Sequence, residues 1–164
     1  MAAPPDVTQR ALEWARLDLH PPHRQPQWWR VALATILAVV LSLAADAAVV
    51  FVATRLLPST KGYVHFQFHD YARLTVVGVL VACAAWPVVT RISRAPRWLF
   101  FRLAIAVTLV LLLPDVYIWQ QGQPAQAVAV LMVMHVVIAL ITYNLLVTLA
   151  PIRKGRRAAS DDRS

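Results

Sequence analysis

The sequence predicts an all-α membrane protein, an antiparallel bundle of four transmembrane helices with a short amphipathic helix before it. Hydrophobic residues make up 59% of the chain and charged residues only 15%, a balance outside the range of ordinary soluble domains. The apolar residues also form long runs, and the longest, residues 125–151 with His135 near its middle, exceeds the roughly 18 residues that cross a ~30 Å hydrocarbon core. The segments between the runs are too short for a second core, so one membrane domain is expected.

Residues 1–28 are predicted to form a cytoplasmic tail that contains an interfacial helix. From Val7 to Leu19, apolar side chains fall on one broad face and most charged ones on the opposite face, and Asp6 can cap the start of this helix. Such a segment is typical of a helix that lies on the membrane surface. A mostly disordered tail is the alternative.

The transmembrane domain is predicted over residues 29–151, and residues 152–164 are predicted to form a basic cytoplasmic tail. Pro87 is expected to kink the inner end of the second span, and Pro114 with Asp115 to interrupt the third span near its far end. The first span has the longest connection and is expected to close the bundle against the fourth. The four spans are expected at about 29–53, 71–89, 98–113 and 125–150.

The distribution of basic residues predicts that both chain termini are cytoplasmic. With this orientation, Arg55, Lys61 and Arg73 are the basic residues that lie outside, and the remaining thirteen of the sixteen lie inside. The positive-inside rule therefore selects the N-in, C-in arrangement in a bacterial cytoplasmic (inner) membrane. The same distribution explains the formal charge of +8 without nucleic acid, because the basic residues flank the apolar spans.

Asp46 and His135 are the candidate functional residues of the spans. A carboxylate near the middle of a helix opposes membrane insertion by about 2.5 to 3.5 kcal/mol, so it needs a partner, a proton or water. At a rise of 1.5 Å per residue, Asp46 and His135 lie about 11 and 14 Å from the outer ends of their spans and can meet. The alternatives are a hydrogen-bonded structural pair, a proton or cation site, and an unpaired group in a wet cleft.

Other polar residues give weaker signals. His65 and His69 are weak candidates for a metal site, because no cysteine or clustered acid completes a coordination sphere. Cys83 is the single cysteine, which excludes an internal disulfide and a dithiol relay. No phosphate-binding loop and no hydrolase or zinc-protease motif is present, so neither enzymatic activity nor a cofactor is expected. Contacts with anionic lipid are expected for a basic collar of Arg91, Arg94, Arg97, Arg153, Lys154, Arg156 and Arg157.

The segment from Leu74 to Pro151 resembles small four-span actinobacterial membrane proteins that are grouped as a family of unknown function. The matching features are VVGVLVACAAW in the second span, the arginine-rich turn, LLLPD at the end of the third span and VLMVMHVVIAL in the fourth. The layout is also similar to that of small multidrug exporters, in which a carboxylate of the first span is essential. Asp46 would have that role, although those exporters use Glu and a glycine-rich third span.

These observations favour a non-enzymatic integral membrane protein that acts through helix and lipid contacts. The expected partners are the lipid bilayer, anionic lipids, and either another membrane protein or further copies of the chain. In one form of this function, the protein is an accessory subunit of a larger complex. The alternative is a proton-coupled carrier of a small molecule or cation that uses Asp46 and His135.

Overall fold

The computed structural model describes residues 23–57, 60 and 67–154, and four long helices account for most of them. Each helix is long and apolar enough to cross a membrane. The predicted all-α four-helix bundle is therefore confirmed, while the helix predicted at Val7 to Leu19 lies outside the described residues. The helices are α1 (Trp28–Leu56), α2 (Phe68–Ile92), α3 (Pro96–Gln120) and α4 (Ala125–Leu149).

A short strand pair joins the two ends of the described chain. Strand β1 (His23–Arg24) precedes α1, strand β2 (Arg153–Lys154) follows α4, and the two pair antiparallel. We call the end of the bundle that carries this pair and the α2–α3 turn the terminal end. The opposite end, which carries the α3–α4 turn, is called the loop end.

Helices α1 and α4 form the most extensive helix contact of the bundle, as the sequence predicted for the first and fourth spans. Next come the contacts of α3 with α4 and of α1 with α2. The buried face of α1 repeats every four residues through Ala34, Ala38, Ser42 and Asp46. Residues at this spacing lie along one side of a helix, and small side chains there let a neighbouring helix approach closely.

Helix α3 runs through Pro114 without a break and ends at Gln120. The prediction that Pro114 and Asp115 interrupt this span is therefore wrong. A proline inside a helix removes only its own N–H, so one carbonyl, that of Val110, loses its helical donor. Helices that cross membranes tolerate this loss because neighbouring groups and small local adjustments can satisfy the freed carbonyl.

The terminal end contains the larger of the two buried clusters, centred on Trp86. The Trp86 ring is fully buried, lies edge-on to Phe100 at 5.1 Å between centroids and donates its Nε1–H to the carbonyl oxygen of Ala150 at 3.0 Å. Phe100 in turn stacks on Tyr143 at 6.0 Å. Trp86 thus connects α2, α3 and the residue that follows α4.

The segment before α1 is anchored to the last turn of α2. The Nε2 atom of His23 lies 2.7 Å from the carbonyl oxygen of Thr90, and the side-chain amide of Gln25 donates to the same oxygen at 3.2 Å. Thr90 Oγ1 donates back to Gln25 Oε1 at 2.7 Å. The Thr90 carbonyl is one of the last four of its helix and has no helical donor, so these contacts supply the partner it lacks.

Candidate functional site

Asp46 is held in the interior of the bundle by a hydrogen bond from the neighbouring helix. Its side chain is fully buried at the contact between α1 and α2. Thr75, itself 5% exposed, donates its Oγ1–H to Asp46 Oδ2 at 2.6 Å. A bond this short is typical of a hydroxyl that donates to a carboxylate, which is among the stronger hydrogen bonds in proteins.

The other carboxylate oxygen of Asp46 is buried and accepts no hydrogen bond from the described residues. The same holds for Ser42 Oγ, one helical turn away on the same face of α1, and for Thr142 Oγ1 on α4. A buried acceptor without a donor costs about 1 to 3 kcal/mol, and a charged one more. The described side chains therefore leave buried polar atoms of both α1 and α4 without a hydrogen bond.

His135 and Asp115 form a second polar contact, between α4 and α3. His135 Nδ1 lies 3.2 Å from Asp115 Oδ2 and 2.9 Å from the carbonyl oxygen of Leu131, one turn earlier on its own helix. With the proton on Nδ1, the imidazole donates to the carbonyl oxygen of Leu131, and Asp115 Oδ2 lies within ion-pair distance of the same nitrogen. The Asp115 side chain is 8% exposed and that of His135 is 30% exposed. This contact therefore lies nearer the surface of the bundle than the contact of Asp46 with Thr75.

The structure gives Asp46 and His135 different partners. Their predicted depths agree, because each lies ten residues from the loop end of its helix, Asp46 before Leu56 and His135 after Ala125. Within the described part of the chain, however, no hydrogen bond joins them, and the partners they have are Thr75 and Asp115.

Sequence reasoning missed Thr75 and Asp115 as partners. Asp115 carries a detectable signal, because it and Asp46 are the acidic residues that lie beyond the first turn of helices α1 to α4. Its position after Pro114 led to its assignment to a helix end. Thr75 carries no such signal, since a threonine in an apolar helix usually bonds the carbonyl of its own preceding turn, as Thr35 does to Val31 at 2.8 Å.

Of the two weak metal candidates, only His69 belongs to the described residues. His69 Nε2 lies 3.2 Å from Asp70 Oδ1 on the exposed first turn of α2, and His65 lies outside the described residues. Residues 23–57, 60 and 67–154 contain no group of three or more His, Cys, Asp or Glu residues that could hold a metal ion.

The basic collar is partly described and lies at the terminal end. Arg91, Arg94, Arg97 and Arg153 are exposed, the backbone of Lys154 belongs to β2, and Arg156 and Arg157 lie outside the described residues. The carboxylates of the described chain are Asp46, Asp70 and Asp115, all in the loop-end half of their helices. The described part of the terminal end is therefore basic without an acidic residue.

An apolar groove of about 590 Å³ runs between α1 and α4 at the loop end. Alanine, valine and leucine side chains line it, with Gln126 as the one polar residue. Such a lining suits hydrocarbon rather than a polar molecule.

Comparisons with known proteins give one match. A family model described as "Family of unknown function (DUF6069)" matches residues 22–151, a range that includes β1 and all four helices. No curated protein and no solved structure matches the chain.

Proposed function

The chain belongs to the DUF6069 family, and from that premise we propose that it is a non-enzymatic, multi-pass protein of the bacterial cytoplasmic membrane that acts through helix and lipid contacts. One observation carries the proposal. Two buried carboxylates, Asp46 and Asp115, and His135 near the middle of α4 each contact a side chain of a neighbouring helix. In a bundle surrounded by lipid, such contacts hold helices in register.

The terminal end supports the lipid part of the proposal. Three exposed arginines of the collar, Arg91, Arg97 and Arg153, form no ion pair with the described residues. Each basic residue near an anionic surface contributes about 1 kcal/mol of attraction. Arg102 also lies over the ring of Trp98, with its Cζ atom 4.1 Å from the ring centroid, an arrangement suited to the membrane interface.

We further propose that the protein is an accessory subunit of a larger membrane complex, with another membrane protein or a second copy of this chain as its partner. Helix α3 supports this part of the proposal. Its buried residues are Pro96, Phe100 and Asp115, so most of its apolar circumference faces outward. A transmembrane helix with so little burial in its own bundle has surface available for lipid or for a further helix.

The proposed orientation predicts which ends of the bundle react with an impermeant thiol reagent. Gln27 at the terminal end and Gln121 at the loop end are both exposed glutamines, so Gln27→Cys and Gln121→Cys form a matched pair. In a Cys83→Ala background, we expect labelling of the Gln121→Cys variant in intact cells and of both variants after permeabilisation. Labelling of the Gln27→Cys variant alone in intact cells would reverse the orientation.

A proton-coupled carrier is the second candidate function, and a specific observation favours it. Asp46 Oδ1 is buried and has no donor among the described residues, and His135 lies at the same depth in α4, ten residues from the loop end of its helix. An ionisable group inside a membrane that is incompletely satisfied is a standard candidate for a proton or ion site. Small-molecule or cation transport through this site would require Asp46 to change its protonation state.

Proton flux in reconstituted vesicles separates the two functions. Asp46→Asn keeps an acceptor for Thr75 but cannot ionise. If the polar contacts are structural, vesicles with the wild type and with Asp46→Asn should lose an imposed pH gradient equally slowly, at the rate of protein-free vesicles. A faster collapse with the wild type that Asp46→Asn abolishes would favour the carrier. Equal unfolding temperatures of the two proteins serve as the control for folding.

A further inference from the structure

The pairing of β1 with β2 places two arginines opposite each other. Arg24 is the register partner of Arg153 in this antiparallel pair. Side chains at directly opposite positions project from the same face with their Cβ atoms about 5 Å apart, and like charges there destabilise the pair. The terminal segments are thus joined at a position where the two side chains repel each other unless an anion lies between them.

Contacts independent of these arginines hold the strand pair in place. His23 and Gln25 bind the carbonyl of Thr90 at the end of α2. Since successive residues of a strand point to opposite faces, Arg24 points away from α2 when His23 points toward it. Arg24 and Arg153 are both exposed, and neither has an ion pair with the described residues.

The position of the two arginines matches that of phospholipid headgroups. Arg24 lies four residues before the start of α1 at Trp28, and Arg153 lies four residues after the end of α4 at Leu149. Trp28 is 81% exposed and Trp29 is 47% exposed, and tryptophan side chains are enriched at the headgroup level of membranes. Both guanidinium groups are therefore placed just beyond the apolar part of the helices.

We propose that Arg24 and Arg153 together form a binding site for one phosphate group, that of an anionic phospholipid headgroup. Guanidinium groups bind phosphate through paired N–H donors, and two of them facing each other can hold one phosphate between them. The bound phosphate relieves the repulsion and so joins the terminal segments of the chain. This inference rests on the proposed membrane location, but it assigns a defined pair of residues where the basic collar implies only general attraction.

The test is thermal unfolding of the full-length protein in a neutral detergent, with and without phosphatidylglycerol. Arg24→Gln and Arg153→Gln remove one of the opposed charges, and Arg91→Gln, an exposed arginine outside the strand pair, is the matched control. Without lipid, both strand variants should unfold at a higher temperature than the wild type, because the repulsion is gone. With lipid, the wild type should unfold at a higher temperature than both strand variants. The unfolding temperature of Arg91→Gln should stay close to that of the wild type under both conditions.

Lipid titration monitored by native mass spectrometry gives the affinity. Each strand variant should bind phosphatidylglycerol about tenfold more weakly or worse, and the double variant no more weakly than either single one, since both arginines hold the same phosphate. Arg24→Lys, which keeps the charge but not the paired donors, should also lose most of the affinity.

The remaining outcomes distinguish this site from the general lipid contact. If Arg24→Gln, Arg153→Gln and Arg91→Gln lowered the affinity for phosphatidylglycerol equally and additively, the paired site would be overturned. General attraction of lipid by the basic collar would then explain the binding. No response of the wild type to phosphatidylglycerol would overturn both the site and the lipid part of the proposed function. A stabilisation by inorganic phosphate equal to that by the lipid would overturn the assignment to a headgroup and show a site for a soluble phosphate.

Discussion

Replacing Trp86 with alanine is expected to lower the free energy of unfolding by about 3 to 5 kcal/mol, the range for removal of a large aromatic side chain from a core. Trp86 is fully buried at the terminal end, packs edge-on against Phe100 and donates to the carbonyl of Ala150. Its removal therefore leaves a cavity among three segments and an unsatisfied carbonyl. Unfolding in detergent, by heat or by titration with sodium dodecyl sulfate, measures the effect.

Two variants serve as controls for this result. Trp86→Phe keeps a ring beside Phe100 but loses the indole N–H, so its cost should be smaller, with about 1 kcal/mol from the lost hydrogen bond. Trp28→Ala removes an 81% exposed tryptophan and should change stability by no more than about 0.5 kcal/mol. Similar costs for Trp86→Ala and Trp28→Ala would contradict the packing of the terminal end.

The second large effect is expected for Thr75→Val, which should destabilise the bundle by about 2 kcal/mol. Valine has nearly the shape of threonine, so the change removes the hydroxyl that donates to Asp46 and little else. Asp46 is then left buried without a hydrogen bond from the described residues, and an unsatisfied buried acceptor costs about 1 to 3 kcal/mol. Unfolding in detergent, by heat or by titration with sodium dodecyl sulfate, measures the change in the free energy of unfolding.

The matched control for Thr75→Val is Thr148→Val. Thr148 is exposed, and its hydroxyl donates to the carbonyl of Asn144 on the same helix at 2.6 Å. Because water or the helix itself can satisfy that carbonyl, a change within about 0.5 kcal/mol is expected. A cost for Thr148→Val as large as that for Thr75→Val would show that the loss of any threonine hydroxyl, rather than the contact with Asp46, causes the effect.

The fold could be predicted from the sequence because the period and length of the apolar runs determine it. Helices α1 to α3 each contain one of the predicted spans, and α4 agrees with the fourth to within one residue. The long connection also correctly indicated that α1 packs against α4. The ends of α3 could not be predicted in the same way. A proline such as Pro114 strongly destabilises an isolated helix in water. Within a bundle, whether the helix continues depends on neighbouring groups that can satisfy the freed carbonyl.

The candidate site could be predicted only in part. The cost of a carboxylate in a membrane identified Asp46, and similar distances from the predicted span ends, about 11 and 14 Å, indicated that His135 lies at a comparable depth. Depth does not determine the direction in which a side chain points around its helix. Asp46 faces α2 and meets Thr75, whereas His135 faces α3 and meets Asp115, so the rotation of the helices selects these partners.

The measurement that tests the account most directly is a double-mutant cycle on Asp46 and Thr75. Asp46→Ala removes the acceptor and continues the small-residue face of α1, so it should cost less than Thr75→Val. Once Asp46 is gone, Thr75→Val leaves no buried carboxylate unsatisfied. The double variant should therefore recover about 1 to 2 kcal/mol relative to the sum of the single changes, whereas Asp46→Ala with His135→Ala should be closer to additive. Additive losses for Asp46 with Thr75 would contradict a structural role for this contact.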